Sequence, residues 1–322
     1  MSYQVKRVSS WDELWQTFAG CPDAYPVAGG TDILPRVNQG IEKHDMYVCL
    51  EPLPGLRGVS VQPDGAVRIG ALTKLVEISE DDSLAGYPAL REACSRVASP
   101  QIRNQATIGG NVLQENRCVF FNQSVSWRRI EPCFKLGGNR CYQYKRYPEC
   151  VALFQSDVAP VLMAYDAVAE FRSPQGTRSA PLAQLYLNAG RKAKAPDEIL
   201  TALVIPPAAG TLYSAYVRKT IRASFDFPLV SCAVALDVRD GVIQKANVVI
   251  GSAGVKPQID EQANALLEGK TLEQAAALSE EVQKSASKKI APFRDSRVDG
   301  PTRQALGRDA VKRALVQACN HL

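Results

Sequence analysis

Four cysteines stand close together in the middle of this chain. Cys118, Cys133, Cys141 and Cys150 are separated by 14, 7 and 8 residues. Thiolates bind zinc and iron–sulfur clusters, and four is the number either site takes. The intervals match neither a C-x-x-C zinc knuckle nor the common bacterial ferredoxin run. On spacing alone iron–sulfur, zinc and coincidence all stay open. Two glycine turns form a second group. Val27-Ala28-Gly29-Gly30-Thr31-Asp32 and Ala106-Thr107-Ile108-Gly109-Gly110-Asn111 each follow a strand-like run and set two glycines before a small polar residue. Glycine lets the backbone approach a ligand and turn successive N–H groups toward it, which suits a pyrophosphate. Thr31 and Asn111 add side-chain hydrogen bonds. Neither turn follows the G-x-G-x-x-G or Walker pattern.

The surroundings of the four cysteines are unusual. Between Val112 and Ser156 lie seven basic residues (Arg117, Arg128, Arg129, Lys135, Arg140, Lys145, Arg146) and three acids (Glu115, Glu131, Glu149), so this segment carries +4 of the net +5. Eight aromatic residues accompany them: Phe120, Phe121, Trp127, Phe134, Tyr142, Tyr144, Tyr147 and Phe154. The other five cysteines, Cys21, Cys49, Cys94, Cys232 and Cys319, are scattered. Cys94 and Cys232 sit in apolar periodic runs and read as small buried hydrophobes. The rest of the chain is nearly neutral, which argues against a nucleic-acid surface. Only two histidines occur, His44 and His321, so histidine catalysis and histidine metal sites are poor expectations.

The elements that must position these groups read as an α+β chain. At 322 residues, 46% apolar and 22% charged, it has room for two or three domains with a sizeable core. No apolar run is long enough to span a membrane, and the N-terminus lacks the apolar stretch of a secretory signal, so a cytoplasmic protein is expected. Residues 1–54 read as a βαβ-like unit, with Ser10 and Glu13 forming a capping box on the helix that begins at Trp11. Residues 55–111 give two strands about a Pro-Asp-Gly turn, two helices, and a strand or loop ending in Gly-Gly-Asn. From Asp157 a helix, a strand and a turn follow. AEFRS, EILTALVIP, TLYSAYVRKT, LVSCAVALDV and IQKANVVIGSAG read as one antiparallel sheet, and the tail is amphipathic helix. The boundary is expected near residue 172.

VAGGTDILP and ATIGGNV resemble the two flavin-loop motifs of the FAD-binding subunit of molybdenum hydroxylases, the xanthine dehydrogenase and carbon monoxide dehydrogenase family. SDVAPVLMAYDAVAEF, EILTALVIP and SFDFPLVSCAVAL extend the resemblance over the whole chain. It implies a two-part FAD-binding domain of PCMH type over 1–172 (parts 1–54 and 55–172, with an insert over 114–155) and a C-terminal domain of the CO dehydrogenase flavoprotein type over 173–322. It implies that Pro26, Val27, Ala28, Gly29, Gly30, Thr31, Asp32 and Ile33 hold the pyrophosphate and ribityl chain, and that Thr107, Ile108, Gly109, Gly110 and Asn111 form the second loop. Val97 then lines the cofactor, Asp157 accepts hydrogen bonds from it, and Leu200 sits by the isoalloxazine. A family lysine eight residues before the aspartate of the DF motif falls here on Arg218, with Lys219 beside it. Asp157 also reads as a helix N-terminal residue.

Asn111 and Asp157 are 46 positions apart, far more than in ordinary members, and all four clustered cysteines lie in the extra stretch. A four-thiolate 4Fe–4S cluster is anionic, so the local cations offset its charge, and the aromatic residues shield it from water. NRCVFFNQSVSW followed by three spaced cysteines is similar to the 4-hydroxybenzoyl-CoA reductase type of flavoprotein subunit. That type carries a 4Fe–4S cluster in an inserted loop, and its ligands fall on Cys118, Cys133, Cys141 and Cys150. The resemblance implies an electron-transfer subunit. A donor such as a ferredoxin reduces the cluster, FAD receives the electrons, and partner subunits carrying 2Fe–2S centres and molybdopterin use them for reductive dehydroxylation of a phenolic substrate. The implied assembly is a heterotrimer or a dimer of heterotrimers. No residue of this chain is expected to act as an acid–base catalyst. Three other readings stay open: the FAD subunit of an oxidative hydroxylase passing electrons to NAD or another acceptor, a non-enzymatic module with structural zinc, and a stand-alone flavin oxidase.

Overall fold

The computed structural model describes residues 3–145, 147–291, 295 and 297–320. Arg146 and His321 lie outside them. The chain opens with β1 (Gln4–Arg7), β2 (Ala24–Val27) and β3 (Met46–Cys49), a parallel sheet in the order β1-β3-β2. α1 (Trp11–Gly20) and α2 (Ile33–Asn38) connect the strands, as the βαβ reading expects. Ser10 caps α1 through the Glu13 N–H. The Glu13 carboxylate, however, accepts from the backbone N–H and hydroxyl of Ser9 rather than from Ser10.

The second part contains β4 (Val59–Val61), β5 (Val67–Gly70), α3 (Leu75–Glu80), α4 (Pro88–Arg96), α5 (Pro100–Arg103) and α6 (Ile108–Leu113). After the cysteine loop come α7 (Val158–Ala164), β6 (Val168–Ser173), β7 (Gly176–Pro181), α8 (Leu182–Leu185), β8 (Tyr186–Asn188), β9 (Arg191–Lys192) and β10 (Ile199–Ile205). The segment read as a strand or loop before Gly-Gly-Asn is therefore two short helices, each started by a side chain: Ser99 caps α5 and Thr107 caps α6. β10 also departs from expectation. It joins the sheet β4-β5-β10-β6-β7, pairing Leu203 with Ile69 on one side and Ala169 on the other. Its near-continuous apolar run matches a strand covered on both faces of the sheet. AEFRS, which is part of β6, lies in this same sheet. The change of sheet thus falls between β10 and the next strand, not near residue 172.

The C-terminal part is the antiparallel sheet β11 (Thr211–Lys219), β12 (Val230–Arg239), β13 (Val242–Gly251) and β14 (Gln258–Ile259), in that order. α9 (Glu261–Leu267), α10 (Leu272–Ala277), α11 (Ser279–Ser287) and α12 (Gly300–Asn320) complete it. β12 shows the period of two. Val230, Cys232, Val234 and Leu236 enter a core shared with α12, while Ala233 and Ala235 face the core that contains α4 and α7. Both faces of the sheet are therefore covered, and α7 carries Asp157 at its start. The cysteine loop leaves the fold between α6 and α7. Its neck is closed by a two-way backbone bridge between Arg117 and Leu153. Beyond the neck its described residues hold only two short 3-10 turns, Val125–Trp127 and Phe134–Leu136. Among the described residues no helix is long and apolar enough to cross a membrane.

Candidate functional site

Two cavities, of about 500 Å³ and about 330 Å³, meet at Thr31, Asp32, Gly110 and Gln114. The first is walled by the chain from Pro22 to Ile33 and by Thr107, Gly109, Lys192, Lys194, Glu198 and Leu200, among others. The second is walled by Val97, Ile102, Asn111, Asp157 and the 222–227 turn of the C-terminal part. Together they form one elongated cleft with the glycine turns at its waist.

The two turns do different things. No group among the described residues accepts a hydrogen bond from the backbone N–H of Gly29, Gly30, Thr31 or Asp32, so this turn keeps its donors for a ligand. Gly30 has φ +72°, a left-handed conformation that glycine adopts without cost. A Cβ on Gly29 would come 1.9 Å from the Gln105 carbonyl oxygen, so the first turn lies directly against the second segment. The second turn spends its donors inside the protein. The N–H of Ile108 goes to Thr73, that of Gly109 to Ala71 and that of Asn111 to Thr107, while Gly110 donates to Thr107 Oγ1. It is the capped start of α6, not the second nest that the shared Gly-Gly pattern suggests. Gly110 nevertheless faces both cavities, and a Cβ there would meet only Thr107 Oγ1 at 3.1 Å.

A waist of free amides and bare glycine between two chambers fits a dinucleotide. Residues 1–208 match the model of the FAD binding domain in molybdopterin dehydrogenase, and residues 215–318 match the CO dehydrogenase flavoprotein C-terminal domain. The chain is an FAD-binding subunit of the molybdenum hydroxylase family. The aldehyde oxidoreductase FAD-binding subunit of Escherichia coli K12 is 32% identical over 284 residues, covering 83% of this chain and 86% of that one. The xanthine dehydrogenase FAD-binding subunit of Escherichia coli O157:H7 is 30% identical over 268 residues, covering 81% and 78%. In fold, the chain superposes with a TM-score of 0.80 on a chain of reconstituted CO dehydrogenase from Oligotropha carboxidovorans, at 23% identity and 100% and 99% coverage.

In this cleft, Pro26 through Ile33 all line the first chamber, with Thr107, Gly109, Gly110 and Leu200. Val97, Asn111 and Asp157 line the second. Three of the expected residues line neither. Ile108 is fully buried in the main core, because the α6 cap turns it inward. Lys219 pairs with Asp309 on α12. Strand alternation sends it to that face, and Arg218 to the other. Arg218 stands behind the cleft, 3.4 Å from Asp157 and bonded to the carbonyls of Arg96 and Asp226.

Asp157 and Asp32 are both held by the protein. The Tyr216 hydroxyl donates to Asp157 at 2.6 Å. Burial pushes the Asp157 carboxyl up, while Arg218 and Tyr216 pull it back down. Asp157 does not cap α7, a task done by the Ser156 hydroxyl, which accepts from the Ala159 N–H at 2.9 Å and donates to Asn111 at 2.5 Å. Asp32 pairs with Arg36 and Arg117 and accepts from the Glu115 N–H at 3.1 Å, tying the first turn to the root of the cysteine loop.

Several cleft residues are not evident from motif spacing. Phe225 and Phe227 are exposed at the mouth of the second chamber, and Arg117 lies over the Phe227 ring at 5.1 Å. His44 lines the first chamber, stacked on Tyr25 at 4.5 Å and bonded to Asp23 and Glu42. Lys192 lies in the same chamber, where burial pushes its ammonium down to about 8. A lysine on a two-residue strand carries no sequence signal. The aromatic pair of the SFDF turn was visible in the sequence, but only as part of a family resemblance.

The four cysteines line one small cavity of about 10 Å³, together with Phe120, Phe121, Phe134, Lys135 and Tyr142. Among the described residues no three His, Cys, Asp or Glu side chains are grouped closely enough to hold one metal ion. Backbone N–H groups point at the sulfurs, Tyr144 to Cys141 at 3.4 Å and Ala152 to Cys150 at 3.5 Å. Burial raises the Cys118 and Cys150 thiols. The N–H groups of Phe120 and Phe121 at Cys118, and of Ala152 at Cys150, oppose it, with Lys135 also opposing it at Cys150. Lys135 pairs with Glu115 at 2.7 Å, and Glu115 lines the first chamber of the cleft.

Proposed function

We propose that this chain is the electron-transfer subunit of a three-part molybdenum enzyme, with FAD in the double chamber and a 4Fe–4S cluster on Cys118, Cys133, Cys141 and Cys150. The observation that carries it is the convergence of the four thiols on one cavity whose Lys135 is ion-paired to a wall of the flavin cleft. When bound, FAD takes or gives two electrons and the cluster passes them singly. The chain's own residues hold, shield and tune. The Gly29–Asp32 amides receive the pyrophosphate, the phenylalanines and Tyr142 keep water from the thiols, and N–H groups at Cys118 and Cys150, with Lys135 at Cys150, oppose the rise that burial imposes on those thiols. A cubane gives each cysteine its own iron, so its sulfurs stand farther apart than the about 3.8 Å of a tetrahedral zinc site. Thiols that share a cavity without closing on a single ion suit the cluster. The nine cysteines, all free, suit a reducing compartment such as the cytoplasm.

The partners in this reading are a 2Fe–2S subunit and a molybdopterin subunit, in a heterotrimer or a dimer of heterotrimers. Net oxidation of the substrate at molybdenum, with electrons leaving through this chain to an acceptor, is favoured by the relatives: an aldehyde oxidoreductase and a xanthine dehydrogenase subunit. The cysteine loop favours a second reading. Its likeness to the 4-hydroxybenzoyl-CoA reductase type supports flow in the opposite sense, from a donor such as a ferredoxin toward reductive dehydroxylation of a phenolic substrate. The test is a donor and acceptor assay on the purified complex. Aldehyde or purine oxidation coupled to an acceptor supports the first reading. Phenol dehydroxylation driven only by a low-potential donor supports the second and contradicts the first.

A further inference from the structure

The wall of the first chamber holds a half-buried cation to which no function has been given. Lys192 ends the hairpin β8–β9, donates to the Gln114 carbonyl at 3.3 Å, and lies over the rings of Phe154 at 5.2 Å and Tyr186 at 5.9 Å. No carboxylate pairs with it directly among the described residues. Its neighbour Glu115 is already taken by Lys135. The hairpin is fixed from the cysteine side. Lys135 donates to the Ala189 carbonyl at 3.4 Å, and Gly190, at φ +85°, packs so tightly that a Cβ would meet Lys135 Nζ and Glu115 Oε1. An ammonium on apolar rings, with one carbonyl for a partner and one side open to a cavity, is costly to bury and is poised for a negative charge arriving in that cavity.

We propose that Lys192 is the cation this chain sets against the flavin in the first chamber, favouring its reduced, negatively charged form over the oxidised form. The inference rests on the reading that this cleft holds FAD. Reduction by two electrons with uptake of one proton leaves one negative charge on a neutral flavin ring, and the electrons come from the partner redox centres of the proposed function. Lys192 acts by charge and transfers no proton. Its action is distinct from that of Lys135, which positions the hairpin. The charged groups around it are Glu115, Lys135, Asp32 and Arg36, with Lys194, Glu198 and His44 on the same cavity wall. Asp32 is held between Arg36 and Arg117, and Glu198 by Arg178, so among the described residues no carboxylate pairs with Lys192. Lys194, which also makes no ion pair among them, is tied down by the Ala195 and Glu198 carbonyls, whereas Lys192 has only the Gln114 carbonyl.

The test uses the whole chain loaded with FAD, and reads the flavin's reduction potential by spectroelectrochemistry at pH 7 together with FAD affinity. Lys192→Met is expected to lower the preference for reduced over oxidised FAD by about tenfold or more, and Lys192→Arg to restore most of it. Lys192→Gln serves if the methionine variant does not load. An FAD-loaded Met or Gln variant with the wild-type potential, or an Arg variant no better than Met, overturns the proposal while leaving the FAD reading intact. A wild-type chain that takes up no FAD overturns both.

Discussion

The cleft proposed for the flavin and the cysteine cavity are built on opposite principles. The cleft is made of backbone at the ends of regular elements. β2 runs into the first glycine turn, Thr107 caps α6 beside it, and both turns are locked by packing against Gln105 and Ala71 before any ligand arrives. The cysteine cavity is made of side chains on a loop with two 3-10 turns, closed at its neck by the Arg117–Leu153 bridge. The difference is one of preorganisation. A cleft carried by two sheets keeps its shape when empty, whereas a loop with so little secondary structure depends on what its thiols hold. The two regions touch through Asp32–Arg117 and Lys135–Glu115.

Substitutions should therefore separate the regions. Cys133→Ser is expected to remove the iron and sulfide of the loop entirely while FAD content stays at the wild-type level, read by metal analysis and flavin absorbance on one sample. Parallel loss of FAD would mean that the cleft is not independently formed. Gly29→Ala drives a Cβ into the Gln105 carbonyl, 1.9 Å away. Overpacking of this kind costs about 3 kcal/mol or more, so FAD affinity should fall on the order of a hundredfold by titration. Gly110→Ala meets only Thr107 Oγ1, and it should leave the melting temperature nearly unchanged while weakening FAD about tenfold. Equal effects of the two glycine variants on stability would erase the contrast drawn between the turns.

The smallest effect concerns pH. The folded-state Lys192 titrates near 8 against an ordinary 10.5, so the unfolded chain binds more protons between these values. Lys192 therefore contributes a rise in the stability of the FAD-free chain as pH increases from about 8 to about 10.5, as the penalty of burying the ammonium fades. Buried thiols such as Cys94 and Cys232 contribute a fall, because burial pushes them up, so the difference between wild type and variant is what isolates the lysine. Lys192→Met should remove that rise and stabilise the empty chain by about 1–3 kcal/mol at pH 7. Denaturant titrations at pH 7 and pH 10 read both effects.

The parts legible in the sequence are those with local causes. Alternation marks β12, the Pro-Asp-Gly turn marks β4–β5, and the cysteine group stands out by count alone. The central place of β10 was not legible, because its partners β5 and β6 are remote in sequence and its apolar run suits any buried strand. The spent amides of the second turn were hidden for the same reason, since two of their acceptors are Ala71 and Thr73 on a distant segment. The face of Lys219 could have been read. It shares strand parity with Ala215 and Val217, which enter the α12 core, whereas Tyr216 and Arg218 point to the cleft side. Lys192 had no such signal. Its importance comes from its place on the wall of a chamber that only the folded chain creates.

The central claim is tested most directly by assaying FAD, iron, acid-labile sulfide and zinc together in one anaerobically purified wild-type sample. The account predicts bound FAD with about four iron and four sulfide per chain. Bound FAD with no iron, or with a single zinc in its place, would contradict it.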